Sequence, residues 1–213
     1  AMALFLDCVR KVSRKDRCVR AGQWNLTSLQ RVYRIAGKTF GFVGYGLIAR
    51  SLHRKLRGFN LGRILVFDPF VTADSAGSAK VELTDLDTLC RESDFISIHV
   101  PLRSSTREMI GERQFSLMKS GAILINTSRG AVIHEQALIS ALKSGRIACA
   151  GLDVFATEPL PADSELRRLD SVTLTDHEGW YSEEAMAELK TKAALNIVDA
   201  LTHGTPRYPV LTL

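Results

Sequence analysis

The sequence predicts an α/β protein built on a doubly wound parallel sheet, with helices on both faces. Six short apolar runs recur along the chain, and their first residues are 24 to 31 positions apart. Continuous apolar runs suit strands that are buried on both faces, and such intervals hold a helix and two loops. A glycine-rich turn also follows the first run, which is typical of the turn between the first strand and the first helix of such a sheet. The predicted strands are Phe40–Val43, Ile64–Phe67, Phe95–Ile98, Ala122–Ile125, Ile147–Ala150 and Val172–Thr175, with a possible extra strand at 79–83.

Helices fit between these runs, and several of them have capping signals. Thr84 is the N-cap that we expect for one helix, and Ser182, which is followed by two acids, is the N-cap for another. Ser144-Gly145 provides a C-terminal stop for a third. The predicted helices are 46–57, 84–91, 135–143 and 182–201.

The first twenty residues predict one amphipathic helix with a basic face. Phe5, Val9 and Val12 share its apolar side, and the segment carries +4 of the chain's net charge of +5. Such a basic run is usually a solvated helix face, which makes nucleic acid an unlikely partner, although a polyanion site is the alternative. The helix is already under way at residue 1, so we expect the chain to begin partway through a larger protein.

Composition excludes several classes of protein. The chain has 213 residues, 46% hydrophobic and 24% charged, which is typical of a globular domain and not of a disordered or disulfide-rich one. It has no run of 18 apolar residues, so we expect no membrane span. The four cysteines form no C-x-x-C pair, which argues against a metal site, and they favour a reducing compartment, the cytoplasm.

The glycine-rich turn has the pattern G-x-G-x-x-A, from Gly44 through Gly46 to Ala49. The first glycine permits a tight turn, the second lets a pyrophosphate approach the backbone, and the third position needs a small residue. Asp68 lies 22 residues beyond Gly46, where a carboxylate can accept the ribose hydroxyls and repel a 2′-phosphate. We therefore expect NAD as the cofactor. The alternative is a tight turn in which Asp68 caps the loop before Pro69.

Further segments form a pattern that covers nearly the whole chain. In order they are Arg20-Ala21-Gly22-Gln23-Trp24, Gly37-Lys38-Thr39-Phe40-Gly41, Val66-Phe67-Asp68-Pro69-Phe70, His99-Val100-Pro101-Leu102, Asn126-Thr127-Ser128-Arg129-Gly130, Gly151-Leu152-Asp153-Val154-Phe155 with Glu158-Pro159, and His177 with Trp180-Tyr181-Ser182-Glu183. With these segments the chain resembles the D-isomer-specific 2-hydroxyacid dehydrogenases in their nucleotide-binding domain, a Rossmann fold, and in particular the phosphoglycerate dehydrogenase-like and C-terminal-binding-protein-like branch.

The resemblance implies a division of the chain and a missing part. It implies a crossover helix at 1–20, an NAD-binding Rossmann domain at 21–181, and a returning C-terminal helix and tail at 182–213. The family builds most of its substrate domain from residues upstream of this segment, so that domain is absent here. The resemblance also implies a homodimer.

Reduction of a 2-keto acid needs a cation for the carboxylate, a proton donor for the carbonyl oxygen and a dinucleotide that supplies hydride. By resemblance, Arg129 would grip the carboxylate with its planar guanidinium. His177 would be the acid–base group, since an imidazole titrates near neutrality, and Glu158 would orient it. The alternatives are that Arg129 forms a salt bridge to a neighbouring helix, that His177 is an ordinary loop histidine, and that Glu158 is an acidic residue before a turn proline.

The resemblance also implies the coenzyme contacts. Asp153 resembles the residue that accepts a hydrogen bond from the nicotinamide carboxamide, and His99 either lines the adenosine side or simply packs. Trp180 would form an apolar wall of the substrate pocket. Asp176 departs from the family, which usually has proline before the histidine, and it puts the geometry of His177 in doubt. The cofactor-binding positions that the resemblance implies are Gly44, Gly46, Leu47, Ile48, Asp68, His99, Val100, Pro101, Thr106, Thr127, Ser128, Arg129, Asp153 and His177.

Two hypotheses follow for the function. The first is the NAD-binding domain of an oxidoreductase that transfers hydride between NAD(H) and a small D-2-hydroxy or 2-keto acid, with this segment inactive by itself. The second, motivated by Trp180 and Asp176, is an NAD-responsive dimerising module of the corepressor kind, with little or no turnover.

Overall fold

The sheet confirms the predicted α/β architecture. A computed structural model describes residues 1–24, 32–72 and 80–209. Its strands are β1 (Thr39–Val43), β2 (Arg63–Phe67), β3 (Glu82–Leu83), β4 (Phe95–Ile98), β5 (Ile123–Asn126), β6 (Cys149–Leu152) and β7 (Val172–Leu174). Their order is β3-β2-β1-β4-β5-β6-β7, and every pair is parallel. The carboxyl ends of all these strands therefore lie at one edge of the sheet, where ligands bind in such folds.

The helices are α1 (Met2–Arg10), α2 (Val12–Arg20), α3 (Leu47–Leu56), α4 (Leu86–Glu92), α5 (Glu112–Leu117), α6 (Glu135–Lys143) and α7 (Glu183–His203). Short 3₁₀ turns occupy Arg57–Phe59, Gly130–Val132 and Glu165–Arg168. The predicted helix at 135–143 is confirmed without change, and those at 46–57 and 182–201 are confirmed within two residues. Ser182 caps α7 as expected, because its side chain accepts a hydrogen bond from the Ala185 N–H.

Each face of the sheet has its own core. On one face, α1 and α3 pack against β1, and Phe5 of α1 meets Phe40 and Phe95 edge-on at centroid distances of 5.3 and 5.0 Å. On the other face, residues of α4, α5 and α6, such as Leu89 and Leu138, form a second core with the strands, and α4 packs on β1 and β2. Because both faces are covered, the strands read as continuous apolar runs.

Only β4 has the predicted bounds: β1 and β2 begin one residue earlier than predicted, and β7 ends one residue earlier. β5 begins one residue later because the Ala122 N–H bonds to the Lys119 carbonyl in a turn. β6 begins two residues later because the Ile147 N–H bonds to the Ala141 carbonyl of α6, although the Ile147 side chain is buried. β3 is shorter than the predicted 79–83, and residue 79 lies outside the described residues.

The single helix predicted over 1–20 is wrong, because the chain forms two helices that break at Lys11. Lys11 has a left-handed backbone (φ 57°), and the Asp7 carboxylate accepts hydrogen bonds from both the N–H (2.7 Å) and the hydroxyl (2.9 Å) of Ser13. Asp7 thus satisfies a free donor at the start of α2, which stabilises the break. Phe5 and Val9 are buried in α1, whereas every residue of α2 is at least partly exposed.

Two further helix predictions need correction. The N-cap of α4 is Asp85 and not Thr84, because the Asp85 carboxylate accepts the Thr88 N–H at 2.8 Å. The sequence prediction also missed α5, whose six residues are too few to show a helical apolar period.

By its internal contacts the chain divides into two units, Ala1–His177 and Glu178–Leu213. The first unit holds the sheet and helices α1 to α6. The second holds α7, which Gly204 caps at its C-terminus, and a short tail whose Arg207 pairs with Asp199 of the helix (2.8 Å). The division into 1–20, 21–181 and 182–213 stays a prediction, and residues 210–213 lie outside the described residues.

Candidate active site

The glycine-rich turn joins β1 to α3 at the carboxyl edge of the sheet. Gly44 has a φ of +87°, and a Cβ there would lie 2.9 Å from backbone atoms of His99 and Val100. Only glycine tolerates both this conformation and this close approach to the end of β4. The third position of the motif is Ala49, whose side chain is buried where α3 packs on the sheet.

The second glycine fits the group that the motif is expected to bind. A Cβ on Gly46 would meet no described atom within 4 Å, so the backbone here faces open space. Gly46 is the N-cap of α3, and no side chain of the described residues caps this helix end. The free N–H groups and the positive end of the helix dipole suit a pyrophosphate. Leu47 and Ile48, in the first turn, are strongly exposed at 87% and 65%.

Asp68 follows β2 beside the glycine-rich turn, and backbone groups orient its carboxylate. One oxygen accepts the Tyr45 N–H at 2.8 Å, and the other accepts the Phe70 N–H at 2.9 Å. The second bond is the one expected if Asp68 caps the loop at Pro69, which was the alternative to a role in binding the coenzyme. A carboxylate has about four acceptor sites on its two oxygens, so ribose hydroxyls can bind to the same group.

The loop after β5, which carries Arg129, is organised by a buried amide that the sequence prediction gave no role. The Asn126 side-chain oxygen accepts the N–H (3.0 Å) and the hydroxyl (2.9 Å) of Ser128, and its amide donates to the Arg129 carbonyl (3.0 Å). Asn126 is fully buried. An amide directly after a buried strand was the available signal, because such a group needs partners for both its donor and its acceptor.

A second glycine brings this loop against the loop that follows β6. A Cβ on Gly130 would lie 1.9 Å from the carbonyl carbon of Phe155 and 2.0 Å from its oxygen. The backbones of the two loops therefore pack in direct contact. This contact places Arg129 and Glu158 on neighbouring loops at the same edge of the sheet.

Glu158 and His177 form a hydrogen-bonded pair. The His177 Nδ1 and a carboxylate oxygen of Glu158 are 2.7 Å apart, and the other oxygen accepts the Phe155 N–H at 2.8 Å. Partial burial raises the pKa of Glu158. The hydrogen bonds from His177 and Phe155 and the charges of His177 and Arg129 outweigh this effect, so the pKa lies below its ordinary value.

His177 has an unusual backbone in the loop after β7. Its φ of +64° lies in the left-handed region, which costs a non-glycine residue about 1–2 kcal/mol. Asp176, which stands where the family usually has proline, is exposed. The bond to Glu158 holds the imidazole in this strained segment, and such strain often marks a functional position.

Asp153 directly follows β6 and is buried. One of its carboxylate oxygens accepts a hydrogen bond from the Thr175 hydroxyl at 2.6 Å. This bond joins the ends of β6 and β7, so the carboxylate is fixed in place near the segment that leads to His177.

His99 lies at the end of β4. Its Nε2 pairs with the Ser97 hydroxyl at 2.8 Å, its ring packs on Phe42 at 6.0 Å, and burial lowers its pKa to about 4. Val100 is buried, whereas Pro101 is exposed. The Thr106 hydroxyl donates to the Pro101 carbonyl at 2.6 Å and shapes this loop.

Of the remaining predicted positions, Thr127 is partly buried in the loop after β5. Trp180 lies in the second unit, is 51% exposed and meets Tyr181 edge-on at 5.6 Å. The first unit thus brings together the glycine-rich turn, Asp68 and Arg129 with the Glu158–His177 pair along one edge of the sheet.

This fold and this edge define a dinucleotide-binding domain, and the hydrogen-bonded Glu158–His177 pair lies at the same edge. A family model described as "D-isomer specific 2-hydroxyacid dehydrogenase, NAD binding domain" matches residues 2–179. The chain belongs to this family.

Known relatives agree with this assignment. The chain is 42% identical to a glyoxylate reductase from Korarchaeum cryptofilum, over 93% of this chain and 60% of that protein. It is 38% identical to a D-3-phosphoglycerate dehydrogenase from Methanocaldococcus jannaschii, over 94% of this chain and 38% of that protein. The structure of D-lactate dehydrogenase with NAD⁺ from Lactobacillus jensenii matches with a TM-score of 0.86 and 29% identity, over all of this chain and 67% of that one. The chain thus spans about 60% of the length of the glyoxylate reductases that it matches.

The described residues provide neither a membrane-spanning helix nor a metal-binding cluster of side chains. No helix within them is both long and apolar enough to cross a bilayer. Likewise, the described part of the chain contains no group of three or more His, Cys, Asp or Glu side chains arranged to hold a metal ion.

Proposed function

We propose that this chain is the coenzyme-binding part of an NAD-dependent oxidoreductase that interconverts a small D-2-hydroxy acid and its 2-keto acid. The observation that carries the proposal is the 2.7 Å pair of His177 and Glu158 at the edge where the glycine-rich turn ends β1. A dinucleotide site next to an oriented imidazole is what a hydride transfer coupled to a proton transfer requires.

Glu158 sets the proton position on His177. Because Glu158 has a lowered pKa, it is a carboxylate at neutral pH and accepts a hydrogen bond from Nδ1. The other ring nitrogen, Nε2, is then the atom that gives a proton to the keto oxygen, or takes one from the hydroxyl in the reverse direction. The carboxylate also fixes the orientation of the imidazole ring.

Arg129 supplies the cation for the substrate carboxylate. It is exposed at the carboxyl end of β5, and its charge acts on Glu158 across the contact between the two loops. Its guanidinium would bind the carboxylate through two parallel hydrogen bonds and so fix the keto group relative to His177.

The glycine-rich turn, Asp68 and Asp153 would hold the coenzyme, which supplies the hydride. The N-terminus of α3 would bind the pyrophosphate, and Asp68 would accept the ribose hydroxyls and disfavour a 2′-phosphate. Asp153 would accept the nicotinamide carboxamide. Three segments would line the groove. They are the first turn of α3 with Leu47 and Ile48, the 99–101 segment with Thr106, and Thr127 with Ser128.

The whole protein is expected to need more than this segment. Relatives such as the glyoxylate reductase are longer, so the activity, the homodimer and the cytoplasmic location are proposals for the full protein. Residues 1–213 alone are expected to bind NADH without reducing a keto acid. Trp180 is proposed as an apolar wall of the substrate pocket.

The test is turnover of glyoxylate, hydroxypyruvate and pyruvate with NADH, and with NADPH for comparison, by the full-length protein. Arg129→Lys and His177→Ala should each lower kcat/KM by about 100-fold or more, since each removes a group that acts in the transition state. Arg168→Lys and His203→Ala change exposed residues of the same types and serve as matched controls. Unchanged rates in both site variants would refute the assigned mechanism.

The relatives described above give no support to the alternative of a dimerising interaction module with little turnover. That alternative predicts tight NADH binding and NADH-dependent assembly without keto-acid reduction. The same full-length preparation therefore decides between the two, because sedimentation with and without NADH can accompany the rate measurement.

A further inference from the structure

Two cysteines that lie far apart in the sequence meet at the contact between α1 and the sheet. Cys8 is on the buried face of α1, and Cys149 is the first residue of β6. The Cys149 thiol donates to the Cys8 carbonyl oxygen at 3.6 Å, so the two residues are in direct contact. They are separated by 141 positions, so the sequence spacing gave no sign of this contact.

Both thiols line a small cavity at the protein surface, although their side chains are largely buried. Lys11, Arg14 and Arg17 also line this cavity. Asp7 and Asp170 line it as well, so its charged groups are three cations and two carboxylates, and it is the route by which a small oxidant would reach either thiol. The neighbouring Cys149 thiol and burial raise the pKa of the Cys8 thiol.

We propose that Cys8 and Cys149 form a reversible thiol–disulfide site that joins α1 covalently to β6. The thiolate of one cysteine attacks one oxygen of hydrogen peroxide, the O–O bond breaks, and hydroxide leaves. The sulfur of the other cysteine then attacks the resulting sulfenic acid, the S–O bond breaks, and the oxygen leaves as water once the thiol proton is transferred. Two thiols and one peroxide thus give one disulfide and two water molecules, and a dithiol reductant reverses the change.

The position of this pair separates it from the proposed coenzyme groove. Cys149 begins β6, whereas Asp153 follows the other end of the same strand. The bond would therefore form at the amino-terminal edge of the sheet, opposite to the glycine-rich turn. We expect the affinity for NADH to change by less than about twofold on oxidation, because no group of the groove takes part.

The test treats the folded protein with hydrogen peroxide, alkylates the remaining thiols after unfolding, and maps tryptic peptides without reduction. The expected product links the peptide that ends at Arg10 to the peptide 147–167, with the loss of two hydrogen atoms, and dithiothreitol releases it. Cys8→Ser and Cys149→Ser should each abolish the link. Cys90→Ser, a change at another buried thiol, and Cys18→Ser should retain it.

Three results would overturn the proposal: alkylation of both Cys8 and Cys149 after oxidation, sulfinic acid on either residue without a link, or a link through Cys18 or Cys90. The peptide map of the unsubstituted protein decides the question even if the serine variants fold poorly. The same treatment in concentrated urea is the control, because unfolded thiols should pair without preference for Cys8 and Cys149.

Discussion

Replacing Gly130 by alanine tests how closely the loop that carries Arg129 must approach the loop that carries Glu158. The added Cβ would lie 1.9 Å from the Phe155 carbonyl carbon, and ordinary contact begins at 3.4 Å. The atoms in the way are backbone, including the Ala156 nitrogen at 2.4 Å, so a side-chain rotation cannot relieve the overlap. One or both loops must move.

We expect Gly130→Ala to lower the free energy of unfolding by about 1–3 kcal/mol, the usual cost of overpacking. A displacement of about 1 Å between Arg129 and Glu158 can lower kcat by roughly 100-fold. Urea denaturation of this chain measures the first effect, and turnover by the full-length protein measures the second.

Gly58→Ala is the matched control. A Cβ on Gly58 meets no described atom within 4 Å, and its φ is not positive, so stability should change by less than about 0.5 kcal/mol. If Gly130→Ala unfolds at the same urea concentration as the unsubstituted chain and the full-length variant keeps its rate, the close approach of the two loops is wrong.

Other predictions concern the coenzyme groove and its titrating groups. Gly46→Val should change the free energy of unfolding by no more than about 0.5 kcal/mol, since the site is open, but should weaken the affinity for NADH by about 100-fold in a calorimetric titration. Gly44→Ala should instead destabilise the fold, because the added Cβ would meet backbone atoms at 2.9 Å. A normal affinity in Gly46→Val would contradict the pyrophosphate site. The lowered pKa of Glu158 means that its contribution to stability is present above about pH 4.3 and is lost as the pH falls through the lower folded value. Glu158→Gln should therefore lose less stability than the unsubstituted chain between pH 7 and pH 3 in urea titrations, and equal losses would refute this. With a pKa of about 4, His99 should show a constant proton chemical shift from pH 8 to pH 5 in NMR spectra, and a titration near pH 6.5 would contradict its burial.

Much of the fold could be predicted because the strands are buried on both faces. Phe95–Ile98 and the neighbouring runs are continuous and apolar, and the glycine pattern marked the first turn from strand to helix. The ends of elements were less predictable, because tertiary hydrogen bonds decide them. Ile147 looks like a strand residue, but its N–H bonds to α6. Lys11 has no sequence signal for a left-handed backbone, and only Asp7 and Ser13 explain the break there.

The candidate site, like the fold, could be predicted only in part. The sequence pointed to Arg129, Glu158 and His177 through the family pattern, and the fold places all three residues at one edge of the sheet. It did not show the role of Asn126, the contact between Gly130 and Phe155, or the pairing of Cys8 with Cys149. Each of these depends on atoms from segments whose separation the sequence alone does not fix.

The decisive test of the coenzyme site at the glycine-rich turn is a titration of this chain, labelled with ¹⁵N, with NADH, followed by the backbone amide spectra. We expect saturable shifts at Gly44, Gly46, Leu47 and Asp68, with no response in an Asp68→Ala variant at the same concentrations. Amides in that region that stay unchanged at millimolar NADH, or shifts confined to another surface, would contradict it.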